Sequence, residues 1–170
     1  MASDQIINRV ANSKLITIDL EEFYPKGKRV LLDISKWLYK GLVLREKDFR
    51  QQLKLHNWQQ YSGQYIALTC STGAIVPSWA YMLVTTHLAS YAKKIVAGDL
   101  ALLEFIIYSD IIDKIEVEDY KNKPVIIKGC DRLFIPETAK IQLLQRLMPI
   151  AKSIMFGEAC STVPLYKKKN

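Results

Sequence analysis

From residue 64 onward the chain alternates short β-branched runs with helical segments, and that alternation confines it to a small set of folds. Tyr65 to Thr69 reads as a strand, Pro77 to about Tyr91 as a helix opened by proline, and Lys94 to Ala97 as a short strand. A helix from Asp99 to about Asp113 follows, with Asp99 as its N-cap. Val125 to Lys128 is then a strand, Pro136 to about Met148 a helix, and Ser153 to Phe156 a strand. Strands separated by helices of this length pair side by side through right-handed crossovers. The expected fold is therefore α/β with a largely parallel central sheet.

The first 63 residues read differently. Ser3 can cap a short helix carrying Ile6, Ile7 and Val10. Leu15 to Leu20 alternates in strand fashion, Pro25-Lys26-Gly27 reads as a turn, and Arg29 to Ile34 as a second strand. These predict an N-terminal antiparallel strand pair. Glu46 to Asn57 reads as an amphipathic helix with Phe49 and Leu53 inward, ended by Ser62-Gly63.

At 170 residues, with 49% hydrophobic and 24% charged, the chain is long enough for one well-packed domain spanning 1–170. Within it, 1–63 is the N-terminal segment, 64–99 a first β-α-β unit and 124–164 a second. The two units echo each other. Shifting Pro77–Asp99 by 59 positions onto Pro136–Glu158 matches Pro77, Ala80, Leu88, Ala92, Lys93, Ile95 and Gly98 with identical residues. With one residue inserted in the loop, Cys70 falls on Cys130, and an internal duplication is expected.

No window approaches the run of about 18 apolar residues that a spanning helix needs. Residues Met1 to Lys14 hold no apolar core of the secretory type. An odd number of cysteines without close pairs argues against a disulfide framework, so a soluble, cytoplasmic protein without membrane contact is expected. The net charge of +7 is unevenly spread: nine basic residues lie between Lys26 and Lys54, and Lys167 to Lys169 end in a basic tail. Such a chain can meet an acidic partner, but a solvated surface and a frayed end explain the charges more simply. Trp37, Trp58 and Trp79 read as core rather than a base-stacking platform, which argues against a nucleic-acid partner. A homodimer is left open.

The three cysteines share one context. Cys70, Cys130 and Cys160 each leave an apolar strand and precede a β-branched residue and proline, at Val76-Pro77, Ile135-Pro136 and Val163-Pro164. In one parallel sheet all these strand ends lie on one edge, facing helix N-termini that favour thiolates. Three thiolates there suit zinc or an iron–sulfur cluster, with one position left for another ligand. Glu158, two residues before Cys160, is the fourth candidate. His87 lies too deep in its helix and reads as a core histidine, and His56 has no nameable partner. Ser71-Thr72 and Ser161-Thr162 repeat the tripeptide Cys-Ser-Thr, either to tune a thiolate or as ordinary loop residues. No phosphate loop, dinucleotide fingerprint, zinc-protease motif or phosphatase cysteine loop is present, so nothing commits the chain to being an enzyme.

Trp79-Ala80-Tyr81-Met82-Leu83, Ile127-Lys128-Gly129-Cys130 and Ser153 through Pro164 carry a resemblance. With Asp19 to Glu22 and Leu44 to Arg50, these segments resemble an uncharacterised bacterial family, domain of unknown function 2480. Cys130 to Phe134 is bulkier than the family pattern. The resemblance implies no established activity. Through genes that neighbour those of iron–sulfur assembly, it implies iron–sulfur assembly proteins as partners. The expected function is metal or iron–sulfur binding through Cys70, Cys130 and Cys160, accessory to cluster assembly. The alternatives are a thiol redox or persulfide-transfer protein, and a non-catalytic module docking through Lys26, Lys28 and Lys36.

Overall fold

A computed structural model describes residues 15–129, 132–158 and 160–169. The helix expected around Ile6 to Val10, and Cys130 itself, lie outside the described residues. The chain divides into two compact units: Pro25–Ile107, called here the continuous unit, and Met1–Tyr24 with Tyr108–Asn170, the split unit.

The continuous unit runs through β2 (Arg29–Asp33), a 3-10 turn (Ile34–Trp37), α1 (Glu46–Leu55), a 3-10 turn (Trp58–Tyr61), β3 (Tyr65–Thr69), α2 (Ser78–Leu88) and β4 (Lys94–Ala97). Its sheet has the order β2-β3-β4, all parallel, with Val30 beside Ile66 and Ile66 beside Ile95. Tyr65 to Leu68 are buried at every position, because a middle strand covered on both faces needs an unbroken apolar run. Helix α2 buries Ala80, Val84 and Leu88, spaced by four, and α1 buries Phe49 and Leu53. Each fully buried leucine contributes about 2 kcal/mol by leaving water. Trp58 donates its indole N–H to the Leu53 carbonyl at 2.8 Å, and His87 stacks on its ring at 5.1 Å.

The split unit begins with β1 (Ile16–Ile18) and a 3-10 turn (Leu20–Phe23). It resumes within α3 (Leu100–Asp113) and continues through a 3-10 turn (Val117–Tyr120), β5 (Pro124–Lys128), α4 (Glu137–Leu147), β6 (Ser153–Glu158) and β7 (Ser161–Lys167). Its sheet has the order β1-β5-β6-β7, parallel except for the antiparallel β6–β7 pair. Ala139, Leu143 and Leu147 of α4 are buried against Ile18, Val125, Ile127 and Ile154.

The fold is thus mixed α/β and largely parallel, but two expectations need correction. There are two sheets rather than one central sheet, and β1 and β2 do not form an antiparallel pair. Strand β1 pairs in parallel with β5, and β2 in parallel with β3. Pro25-Lys26-Gly27 imitates a hairpin turn, but Gly27 answers to a different constraint. At φ +143° a Cβ there would lie 2.8 Å from the Gly63 carbonyl oxygen and 2.8 Å from the Tyr65 ring. The Arg29 guanidinium holds the same segment through the carbonyls of Pro25 and Gly27, at 2.8 and 2.7 Å.

Strand β7 is a third difference. No strand is expected after Ser153 to Phe156, yet Ser161–Lys167 lies at a sheet edge, where Pro164 removes no needed ladder bond.

Both units follow the order strand, 3-10 turn, helix, 3-10 turn, strand, helix, strand, to which the split unit adds β7. From the second 3-10 turn onward, equivalent positions again differ by 59: Gly63 and Asn122 both have positive φ and donate to Tyr91 and Ile150, each at 2.9 Å. The loops 70–77 and 129–136 are equal in length, so in this register Cys70 matches Gly129 rather than Cys130. Among the described residues no helix is long and apolar enough to cross a membrane.

Candidate functional site

Each unit gathers polar side chains at the carboxyl ends of its parallel strands, where open α/β sheets place their ligands. Both gatherings start from an aspartate that ends or follows a strand and caps a 3-10 turn. Asp19 accepts from the Glu21 N–H, and Asp33 from the Ser35 N–H, each at 2.9 Å.

In the continuous unit Asp33 also binds the loop after β3. Its second oxygen accepts the Ser35 and Ser71 hydroxyls at 2.7 and 2.5 Å, and the Ser71 N–H reaches its first oxygen at 3.1 Å. Burial pushes the Asp33 pKa up, but the hydrogen bonds from Ser71 and Ser35 outweigh it and lower the value to about 2. Cys70, the next residue along from Thr69, is half-buried, with its sulfur 3.4 Å from the Thr72 hydroxyl. That hydroxyl commits its own proton to the Gly41 carbonyl at 2.6 Å, so the thiol is the donor. Cys70 thus has polar partners within its own loop, the Thr72 hydroxyl and the Thr72 carbonyl, the latter at 3.7 Å.

The same Thr72–Gly41 bond ties the 39–43 turn to the loop after β3, and a cleft of about 650 Å³ opens between them. Leu42, Val43, Ile75, Pro77, Trp79 and Glu46 line it. Burial, then the charges of Cys70 and Asp33, raise the phenol pKa of nearby Tyr81. The Lys36 ammonium is lowered by burial against the pull of Asp33. His56 does have partners: its Nε2 lies 3.0 Å from the Tyr61 hydroxyl, and burial and then Lys36 lower its pKa.

In the split unit the strand ends carry charge instead. Lys128, the last residue of β5, lies 2.5 Å from Asp19 and 3.7 Å from Glu21. The Asp19 hydrogen bond, with the charges of Asp19, Glu21 and Glu158, raises the Lys128 ammonium above the usual lysine range. Glu21 accepts backbone N–H groups from Arg132 and Leu133, the latter at 2.7 Å, and so holds the loop after β5.

Glu158 ends β6. Its Oε1 is buried without a hydrogen-bond partner among the described residues. The equivalent Asp99 caps α3, accepting the Leu102 N–H at 2.8 Å as expected. No helix follows Glu158; the chain turns back into β7, so its carboxylate has no capping duty. Cys160 is exposed in that turn.

The expected donors are thus distributed as follows. Cys70 belongs to the continuous unit, while Glu158, Cys160 and the sequence position of Cys130 belong to the split unit. Among the described residues no group of three His, Cys, Asp or Glu side chains is arranged to hold a metal ion, and Cys130 is not among them. The repeated Cys-Ser-Thr serves two purposes: Ser71 and Thr72 brace a loop, whereas Ser161 and Thr162 open β7. The sequence reading missed Asp19, Asp33, Glu21 and Lys128. The available signal was an aspartate set between apolar residues at a strand end, in Ile18-Asp19-Leu20 and again in Leu32-Asp33-Ile34.

These features define a two-sheet α/β protein with a carboxylate-anchored strand-end site in each unit. The chain belongs to the family described as protein of unknown function, DUF2480, whose model matches residues 4–168. No curated protein and no solved structure matches it.

Proposed function

We propose that the split unit binds a metal ion or iron–sulfur centre through Cys130 and Cys160, with Glu158 as carboxylate ligand, in a cytoplasmic protein accessory to iron–sulfur assembly. The observation that carries this reading is the buried Glu158 Oε1, which accepts no hydrogen bond from any described group. A buried carboxylate oxygen without a donor is unfavourable unless a cation or proton compensates it. Strand pairing adds support, because β5 and β6 are parallel neighbours with Lys128 beside Gly157, and Cys130 and Glu158 follow those positions in sequence. Sulfur and carboxylate donors together suit zinc, or iron held with further ligands. The bound centre would supply Lewis acidity or electron storage. The chain's own part is to place Glu158 near the Lys128–Asp19–Glu21 network and to brace the loop after β5 through Glu21.

The symmetry of element order also favours descent of the two units from one duplicated β-α-β ancestor, with the Asp19 and Asp33 turns as counterparts. Anaerobic purification with metal analysis and an absorption spectrum tests the metal reading. Zinc or iron near one equivalent supports it, and a stable, colourless, metal-free protein rejects it.

A second reading rests on the 650 Å³ cleft beside the loop of Cys70. Under it, the continuous unit seats a substrate and Cys70 performs thiol exchange or persulfide transfer. Cys70 alkylating much faster than Cys160 near neutral pH supports this; slow, uniform labelling rejects it.

A further inference from the structure

The basic tail is not a frayed end. Strand β7 carries it back along β6, with Lys167 paired to Ser153, and the Lys168 N–H donates to the Lys152 carbonyl at 3.0 Å. On the other side of β6, the Lys152 N–H donates to Lys123 at 3.0 Å and the Asn122 N–H to Ile150 at 2.9 Å. Backbone hydrogen bonds thus gather three distant segments at the end of the split unit's sheet opposite Glu158. Lys152, Lys167, Lys168, Lys169 and Asn122 line a cleft of about 650 Å³ there.

Four lysines line this cleft, and no acidic side chain among the described residues does. Neighbouring Lys121 is paired with Glu118 at 3.0 Å, and Lys123 donates to the Asp119 carbonyl at 2.7 Å. The four lining lysines have no ion pair among the described residues. Like charges held together by a fixed backbone repel one another, and the arrangement concentrates anions from solution.

We infer that this cleft is a binding site for a compact oligophosphate, recognised by charge. Each phosphoryl group of such a ligand carries roughly one to two negative charges, so a short chain of them matches four ammonium groups. Lysine contributes mobile point charges and Asn122 an amide donor, which suit tetrahedral oxyanions more than a planar carboxylate. A single-stranded nucleic acid is the less suitable occupant, because among the described residues no aromatic side chain lines the cleft for a base to stack on.

The test is calorimetric titration of the full chain with inorganic tripolyphosphate, alongside sulfate and a short single-stranded oligonucleotide. Tripolyphosphate should bind at low salt, at least about tenfold more tightly than sulfate, and weaken about tenfold or more between roughly 50 and 200 mM salt. The pair Lys152→Glu and Lys168→Glu should cut affinity at least about tenfold, while Lys152→Arg with Lys168→Arg retains it. If the reversed pair fails to fold, Lys167→Glu with Lys169→Glu, beyond the Lys152 contact, takes its place. Tripolyphosphate binding no tighter than sulfate, or insensitive to charge reversal, overturns the inference. Tighter binding of the oligonucleotide, lost on the same reversal, overturns it in favour of nucleic acid.

Discussion

Replacing Asp33 with asparagine should reveal how much of the continuous unit's stability depends on one carboxylate at a strand end. The ordinary aspartate pKa of 3.8 falls to about 2 in the folded chain. At about 1.4 kcal/mol per pKa unit, the unscreened difference is roughly 2.5 kcal/mol. Asp33 is half-buried and water screens part of this, so about 1 kcal/mol is the expected electrostatic share. The asparagine amide also turns two donors toward a site that already supplies four, which adds about 1 kcal/mol of lost hydrogen bonding. Because the folded pKa is depressed, the electrostatic share is complete above the unfolded value near pH 4. It disappears as pH falls toward 2. Urea unfolding of wild type and Asp33→Asn at a series of pH values measures the gap directly. The gap should be flat from about pH 7 to 5 and narrow by about 1 kcal/mol toward pH 2. A gap that stays constant, or widens in acid, refutes the argument that the serine donors stabilise a charged Asp33.

Two further substitutions test the packing argument. Glu104→Ala removes the partner of Arg29, which lies 2.5 Å away with only 11% of its side chain exposed. Chemical denaturation should show a loss of about 3 kcal/mol, larger than for Glu46→Ala, whose exposed pair with Arg50 contributes little. Gly157→Ala places a Cβ 2.4 Å from the Ser161 carbonyl oxygen at φ +128°. Thermal unfolding should shift down by an amount equivalent to about 2 kcal/mol or more, with amide exchange rising first across the β6–β7 turn.

Local pattern made much of this fold legible. Strand β4 was read at its observed limits, and the starts of α1 and β3 were placed correctly, because four-residue spacing and apolar runs are properties of short segments. Partner choice was not legible. Strand β1 spans only three residues and pairs with β5 more than a hundred positions away, while a proline–glycine turn lies between it and β2. No local signal outweighs that turn. The glycine in it is required by Gly63 and Tyr65, which only the folded chain brings near. The same limit explains the site. Strand-end cysteines were visible in order, but the division into two sheets was not, and it assigns Cys70 to one unit and Glu158 to the other. The isolated Glu158 oxygen depends on the path the chain takes on leaving its strand: into a helix after Gly98-Asp99, into a reversal after Gly157-Glu158.

Metal stoichiometry across three forms of the anaerobically purified chain addresses the central claim most directly. Wild type should carry about one equivalent of zinc or iron, with Cys160→Ser and Glu158→Gln each lowering affinity about tenfold or more while Cys70→Ser leaves it unchanged. A wild-type chain that folds without metal, or metal retained equally by all these variants, contradicts the account.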